Sequence, residues 1–260
     1  EPHNSKVSGG QTKQHQSTSD NIKPVIRIQD MIIKAFTISL LIASAVFIAT
    51  ICLKSTPPSA ADDDSSDKFV TCGSAIKLAH VETGGGSKYY LDSGDPSYGS
   101  GSGQQIVTLN PNKNAHSSLW LVREEHDTPQ CAPGEPVKCN AIIRLTHVNT
   151  QKNLHSHGFR SPITGQQEIS GYGEGGEGDN GDNWRVVCIG SGQRYWHRNR
   201  DVIFQHLEST RYMAALENAE YNERNCGGRC PIMNHLECFG RTNADKSTRF
   251  RATLGIHLSK

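Results

Sequence analysis

Residues 76–81 read I-K-L-A-H-V, residues 143–148 read I-R-L-T-H-V, and residues 202–207 read V-I-F-Q-H-L. Each is a short run of β-forming residues with a histidine next to its end. The histidines recur at steps of 67 and 59 residues. A chain that repeats a phrase at such a period has repeated a unit of fold, so the repeat sets the architecture. Alternation within each run places Ile76, Leu78 and His80 on one face. The same face holds Ile143, Leu145 and His147, and then Val202, Phe204 and His206, while Lys77 and Arg144 project from the other.

Working outward, the sequence divides into units at about 70–130, 137–193 and 196–258. A second strand is expected at 88–91, 153–155 and 211–214. A third is expected at 105–109 and 167–170, with a degraded counterpart at 235–239. Each unit closes on an aromatic strand, at 119–122 around Trp120, 183–188 around Trp184 and 249–252 around Phe250. Four short strands repeated three times, laid out as an open sheet, would leave long unpaired edges. Closure removes them. The pattern therefore predicts an all-β fold, a β-trefoil with pseudo-threefold symmetry. Trp120, Trp184 and Phe250 are its expected equivalent core positions.

Composition agrees. The chain has 260 residues, 27 basic and 26 acidic side chains, 25 glycines and 35% hydrophobic residues. That balance lacks the electrostatic footprint of a nucleic-acid binder and suits a loop-rich β protein. Residues 1–30 are polar and offer no core, which predicts a disordered extension. The run from Ala35 to Cys52 is 18 residues without a charged side chain, preceded by Lys23, Arg27 and Lys34 and followed by Ser59-Ala60-Ala61. Segment 31–61 therefore reads as a secretory signal peptide. The competing reading is a membrane anchor, since that length is near the minimum for a bilayer span. Segment 62–69 reads as a linker, and both readings export residues 70–260.

Of eight cysteines, Cys52 lies in the apolar run. The candidates for disulfides are Cys72, Cys131, Cys139, Cys188, Cys226, Cys230 and Cys238. Their odd number leaves at least one free or paired with another chain, and the sequence does not fix connectivity. Cys131 and Cys139 are close enough in sequence to close a short link between units one and two. No N-x-[ST] acceptor occurs beyond residue 70.

Several stretches resemble the stromal cell-derived factor 2-like proteins, which are built from MIR motifs. Val70-Thr71-Cys72-Gly73-Ser74 opens the first repeat. Tyr98-Gly99-Ser100-Gly101-Ser102-Gly103-Gln104-Gln105 matches the family's loop into its third strand. Pro136-Val137-Lys138-Cys139 leads into Ile143-Arg144-Leu145-Thr146-His147. Leu154-His155-Ser156-His157 matches a second-repeat turn, and Gly178-Asp179-Asn180-Gly181-Asp182-Asn183-Trp184 closes that repeat. The resemblance covers residues 70–258. Three features depart from it: the long N-terminal extension, an insertion at 219–231, and a C-terminal His257-Leu258-Ser259-Lys260 where relatives often carry an endoplasmic-reticulum retrieval tetrapeptide.

Candidate chemistry is weak. Gly171-Tyr172-Gly173-Glu174-Gly175-Gly176 spells G-x-G-x-x-G, but Glu174, Glu177, Asp179 and Asp182 crowd it, and no helix pattern follows to receive a pyrophosphate. As a calcium loop counted from Asp179, its twelfth position is Gly190 rather than Glu. Cys226, Cys230, His235 and Cys238 form C-x3-C-x4-H-x2-C, a donor set for zinc, although an exported chain favours a local disulfide among the three cysteines. His80, His147 and His206 recur at equivalent positions, whereas catalysis needs unlike groups. They therefore read as structural. His155-Ser156-His157 offers a base and a nucleophile, with no acid partner nearby in sequence. No catalytic residue, metal or cofactor is expected.

What remains is a binding module. Its variable loops lie at 93–103, 156–165 and 216–231, with Tyr98, Gln104, His155, His157, Tyr172 and Tyr221 as candidate binding residues. The resemblance implies an accessory of protein folding and quality control in the endoplasmic-reticulum lumen. It implies partnership with a lumenal J-domain co-chaperone, an ATP-driven chaperone and unfolded clients. The alternative is a lectin-like trefoil for carbohydrate or mannosylated peptide, though the Q-x-W signature of ricin-like lectins is missing. Membrane attachment enters only if the run from Ala35 to Cys52 is uncleaved, which would make the chain a single-pass membrane-anchored protein; a secreted protein is the other alternative.

Overall fold

The computed structural model describes residues 68–85 and 89–259. The polar extension, the signal or anchor segment and most of the linker lie outside the described residues, as does Lys88. The repeats open on β1 (Ala75–His80), β5 (Ile142–His147) and β9 (Asp201–His206). Their second strands are β2 (Tyr90–Ser97), β6 (Asn153–Arg160) and β10 (Tyr212–Ala214). Third come β3 (Gln105–Asn110), β7 (Gln167–Tyr172) and the pair β11 (Leu236–Glu237) and β12 (Phe239–Arg241). The closing strands are β4 (Trp120–Glu124), β8 (Trp184–Cys188) and β13 (Arg249–Ile256).

These strands build the expected β-trefoil. First and fourth strands form a closed ring, β1 to β4, β5, β8, β9, β13 and back to β1, every pairing antiparallel. The second and third strands form three hairpins that cap it. Each third strand also joins its neighbour: Gln105 faces Gly171, Gln167 faces Gly240, and Leu236 faces Leu109. The ladder therefore leaves few edges to protect. At the other end, a cyclic triplet of backbone bonds links the repeats. Val70 N–H donates to Trp196 O (2.8 Å), Trp196 N–H to Val137 O (2.8 Å), and Val137 N–H to Val70 O (2.9 Å).

The strand count corrects the expected twelve to thirteen among the described residues. Cys238 interrupts the third repeat's third strand, leaving β11 on β3 and β12 on β10 and β7. The insertion after β10 holds a one-turn helix, α1 (Glu223–Cys226), capped by Asn222. Among the described residues no helix is long and apolar enough to cross a membrane.

The core is threefold as well. Ile76, Leu78, Ile143, Leu145 and Phe204 are buried with Trp120, Trp184 and Phe250, all eight at most 4% exposed. The histidines share this interior. In each repeat the ring Nε2 faces a carbonyl: Ser247 O for His80 (2.8 Å), Ser117 O for His147 (2.9 Å) and Gly181 O for His206 (2.9 Å). A carbonyl only accepts, so Nε2 carries the proton. Nδ1 then accepts from the hydroxyl of Thr83 (3.1 Å), Thr150 (2.8 Å) or Ser209 (2.8 Å). Each ring also packs against the closing aromatic opposite it, with centroids 5.0–5.1 Å apart for His80–Phe250, His147–Trp120 and His206–Trp184.

The face opposite this core is not solvent. Lys77 and Arg144 are buried and hydrogen-bonded, Lys77 to the carbonyls of Lys113 and Ala115, Arg144 to Glu124 and Gly176 O. Two disulfides staple repeat junctions, Cys72–Cys131 and Cys139–Cys188, and a third, Cys226–Cys230, closes the insertion. A Cys131–Cys139 link does not form. Ring closure brings Cys72 and Cys188 to those residues from 59 and 49 positions away. Cys238 is free and buried, which corrects its place among the disulfide candidates. It occupies the third-strand position held by Val107 and Ile169 in the other repeats, and burial raises its thiol pKa well above the ordinary value.

Candidate functional site

The residues nominated from sequence collect around β6 and β7 of the second repeat. His155 and His157 lie in β6, a strand rather than the turn expected there. The turn is what the resemblance implies, whereas the strand expected at 153–155 continues through both histidines, whose partners are distant in sequence. His155 Nδ1 donates to Asp182 Oδ1 at 2.9 Å, and His157 Nε2 faces Glu168 Oε1 at 3.2 Å. Both histidines thus have the acid that sequence reading did not find, supplied by residues 27 and 11 positions away.

These acids are structural posts. Asp182 is fully buried and also accepts from Asn153 Nδ2 (2.9 Å) and from Asp179 N–H (3.1 Å). Gly178 packs over it so closely that a Cβ there would sit 1.8 Å from Oδ2. Asp179 completes a capping box on the turn Asn180–Asp182, so the acidic segment is an ordered cap on Trp184. Ser156, the nominal nucleophile, donates to Glu168 O at 2.7 Å and accepts from Gln167 Nε2 at 2.7 Å. Its hydroxyl is committed to strand pairing and faces neither imidazole.

Glu168 and Glu237 occupy equivalent positions in β7 and β11, and both are fully buried. Glu168 accepts from Ser102, tying down the first repeat's loop. Glu237 accepts the N–H groups of Ile163 (2.7 Å) and Thr164 (2.9 Å), tying down the second. The equivalent residue in β3 is Ile106, with no carboxylate to offer. The third loop is held by Cys226–Cys230 instead.

The six nominated binding residues divide by burial. Tyr98, His155 and Tyr221 are buried, which corrects their assignment as ligand-facing. The Tyr98 hydroxyl donates to Ile169 O at 2.9 Å, and burial pushes the phenol pKa of both tyrosines up. Gln104 is half-buried and accepts from Ser170. His157 is half-buried, and burial, then neighbouring His155, lower its pKa. Tyr172 is 37% exposed, its ring 4.7 Å from His155, and Phe159 is 49% exposed, 4.8 Å from His157. Tyr172, His155, His157 and Phe159 thus form one row of rings with open aromatic faces at its ends. Phe159 is the member that sequence reading missed. Its place two residues beyond His157 on the same strand face was the available signal.

Among the described residues, two groups bring metal-donor atoms together. In the group of Cys72, Glu124 and Cys131, the cysteines are disulfide-bonded and offer no thiolate. In the group of His155, Asp179 and Asp182, the imidazole Nδ1 and the buried carboxylate already satisfy each other. The cysteines of the candidate zinc motif are likewise divided. Cys226 and Cys230 are bonded, His235 Nδ1 meets Thr108 Oγ1 at 2.8 Å, and Cys238 lies in the core. Among the described residues the geometry thus presents an aromatic surface on a β scaffold and no converging reactive set.

Comparison with known proteins agrees with this picture. The family model of the MIR domain matches residues 85–189. Human stromal cell-derived factor 2 is 41% identical over 194 residues, covering 75% of this chain and 84% of that protein. The stromal cell-derived factor 2-like protein of Dictyostelium discoideum is 42% identical, covering 74% and 85%. Among solved structures, the SDF2-like protein from Arabidopsis thaliana matches with a TM-score of 0.65 at 36% identity, over 74% of this chain and 98% of that one. The S. cerevisiae protein O-mannosyltransferase Pmt1-Pmt2 complex bound to the sugar donor matches with a TM-score of 0.61 at 23% identity, over 26% of its chain. That last likeness is one of fold.

Proposed function

This chain belongs to the stromal cell-derived factor 2 family of MIR-domain proteins, and from that premise we propose that it is a non-catalytic binding module of the endoplasmic-reticulum lumen, accessory to protein folding and quality control. It would act in complex with a lumenal J-domain co-chaperone and an ATP-driven chaperone, holding unfolded clients. One observation carries the non-catalytic reading. The three equivalent histidines each have both ring nitrogens bonded to the scaffold, so none is available to move a proton to a substrate. No ATP chemistry is asked of this chain, and the loops carried on its β scaffold would supply the contact surface. The test is recovery of the full chain from detergent-solubilised microsomes. The co-chaperone and the ATPase are expected in stoichiometric amounts, and recovery of neither contradicts the proposal.

A second reading, carbohydrate or mannosylated-peptide binding, draws support from the exposed rings of Tyr172 and Phe159 beside His157. Open aromatic faces next to a polar donor suit the apolar C–H face and hydroxyls of a sugar. A glycan array separates the two readings. Saturable sugar binding lost in Tyr172→Ala favours the second, and a blank array removes it.

A further inference from the structure

At the junction of the third and first repeats lies a cavity of about 590 Å³ whose wall carries Lys68, Arg198, Arg200, Thr253 and His257 and, among the described residues, no carboxylate. The whole chain has a formal charge of only +1, so this concentration of cationic residues is local. Among the described residues neither Arg198 nor Arg200 is ion-paired.

The cavity exists because the third repeat departs from the other two. Arg198 N–H donates to Lys68 O (2.9 Å) as Cys72 N–H does to Glu135 O (2.9 Å) and Cys139 N–H to Arg194 O (3.0 Å). Arg198 therefore stands where the other repeats place a disulfide cysteine. β13 bulges here: Lys77 pairs with Leu254 and Leu78 with Ala252, which leaves Thr253 outside the ladder. A bulge re-aims its extra side chain. Gly255, at φ +142°, then brings β13 against β1, where any Cβ would meet Ala75 O at 2.2 Å. Two buried polar atoms of this wall, Thr253 Oγ1 and His257 Nδ1, have no hydrogen-bond partner. Burial, and after it the nearby Arg198, hold the His257 pKa below its ordinary value.

We propose that this cavity binds a phosphate-bearing small molecule, with Arg198 and Arg200 on the phosphate oxygens and Thr253 and His257 as further hydrogen-bond partners. Guanidinium groups match phosphate geometry. The volume exceeds what a lone oxyanion fills and falls in the range of small-molecule sites, which places the ligand at about the size of a sugar phosphate. This inference is independent of the chaperone reading and of the aromatic row.

The test is calorimetric titration of the full chain with inorganic phosphate, mannose 6-phosphate and mannose. One saturable site is expected, tighter for the sugar phosphate than for phosphate alone and silent to mannose. Arg198→Ala should weaken it at least about tenfold, the loss that follows removal of a charge-assisted hydrogen bond. Arg200→Ala, at an exposed position that does not support the core, should weaken it similarly with an unchanged melting temperature. No saturable heat at millimolar ligand overturns the proposal. So does binding that survives Arg200→Ala at full strength, or mannose binding as tightly as its phosphate.

Discussion

The first two repeats and the third meet the same structural demand with different chemistry. In repeats one and two a disulfide staples the junction strand, and a buried carboxylate from the following repeat ties down the hairpin loop. In repeat three the staple is replaced by Arg198 beside a cavity, and the loop is closed by its own four-residue cross-link. The histidine keeps a carbonyl, a hydroxyl and a closing aromatic as its partners in all three repeats, with Thr or Ser and Trp or Phe filling the last two places. What is held constant is what closes the ring. What varies lies at the ends of the barrel, where partners can reach.

The sharpest way to break this comparison is to remove a constant element. Trp184 is fully buried, and its Nε1–H donates to Leu154 O at 2.8 Å. Trp184→Ala should cost about 3–5 kcal/mol in urea unfolding. Phe250→Ala in repeat three should cost a similar amount, because the two positions are equivalent. A cost under about 1 kcal/mol at either would show that the closing aromatics do not hold the ring.

The staples come next. Loop-closure entropy scales with the chain enclosed, so the Cys139–Cys188 bridge, spanning 49 residues, constrains the unfolded chain far more than Cys226–Cys230, spanning 4. Replacing both members of the long bridge with alanine should cost about 4 kcal/mol, and the same change in the short one about 2. Equal losses would mean that the insertion is integral to the core rather than a self-contained loop. The smallest effect is expected from restoring symmetry. Cys238→Val places in repeat three the residue that Val107 supplies in repeat one, and the stability should move by less than about 1.5 kcal/mol. A larger loss would mark the thiol as more than core packing.

Much of this was legible. The phrase that ends in His80, His147 and His206 located β1, β5 and β9 to within a residue or two. Trp120, Trp184 and Phe250 located the closing strands, because a large aromatic ending each repeated unit has one common use. Less was legible wherever the partner is remote. The resemblance implies a turn at His155 and His157, and nothing local shows otherwise, because their partners Asp182 and Glu168 arrive from the turn Asn180–Asp182 and from β7. Cys131 appeared closest to Cys139, but ring closure delivers Cys72. The split at Cys238 follows from β11 and β12 serving different neighbours, a tertiary demand with no local signature. The basic cavity was least visible. Its residues come from three separated segments, and their charges vanish into a nearly neutral total.

The central claim is that the three histidines are equivalent structural groups, neutral and bonded through Nε2–H. Burial is the largest cause holding all three below the ordinary value of 6.5. The unfolded chain then binds more protons, so the stability is fully present above about pH 6.5, falls as the pH drops through it, and levels off below the folded values. Nitrogen NMR of the labelled imidazoles across pH 8 to 5 tests this directly. The account predicts three neutral Nε2–H tautomers at neutral pH, all titrating below 6.5 in step with falling stability. A single member of the three found as the Nδ1–H tautomer, or protonating at or above 6.5, would contradict it.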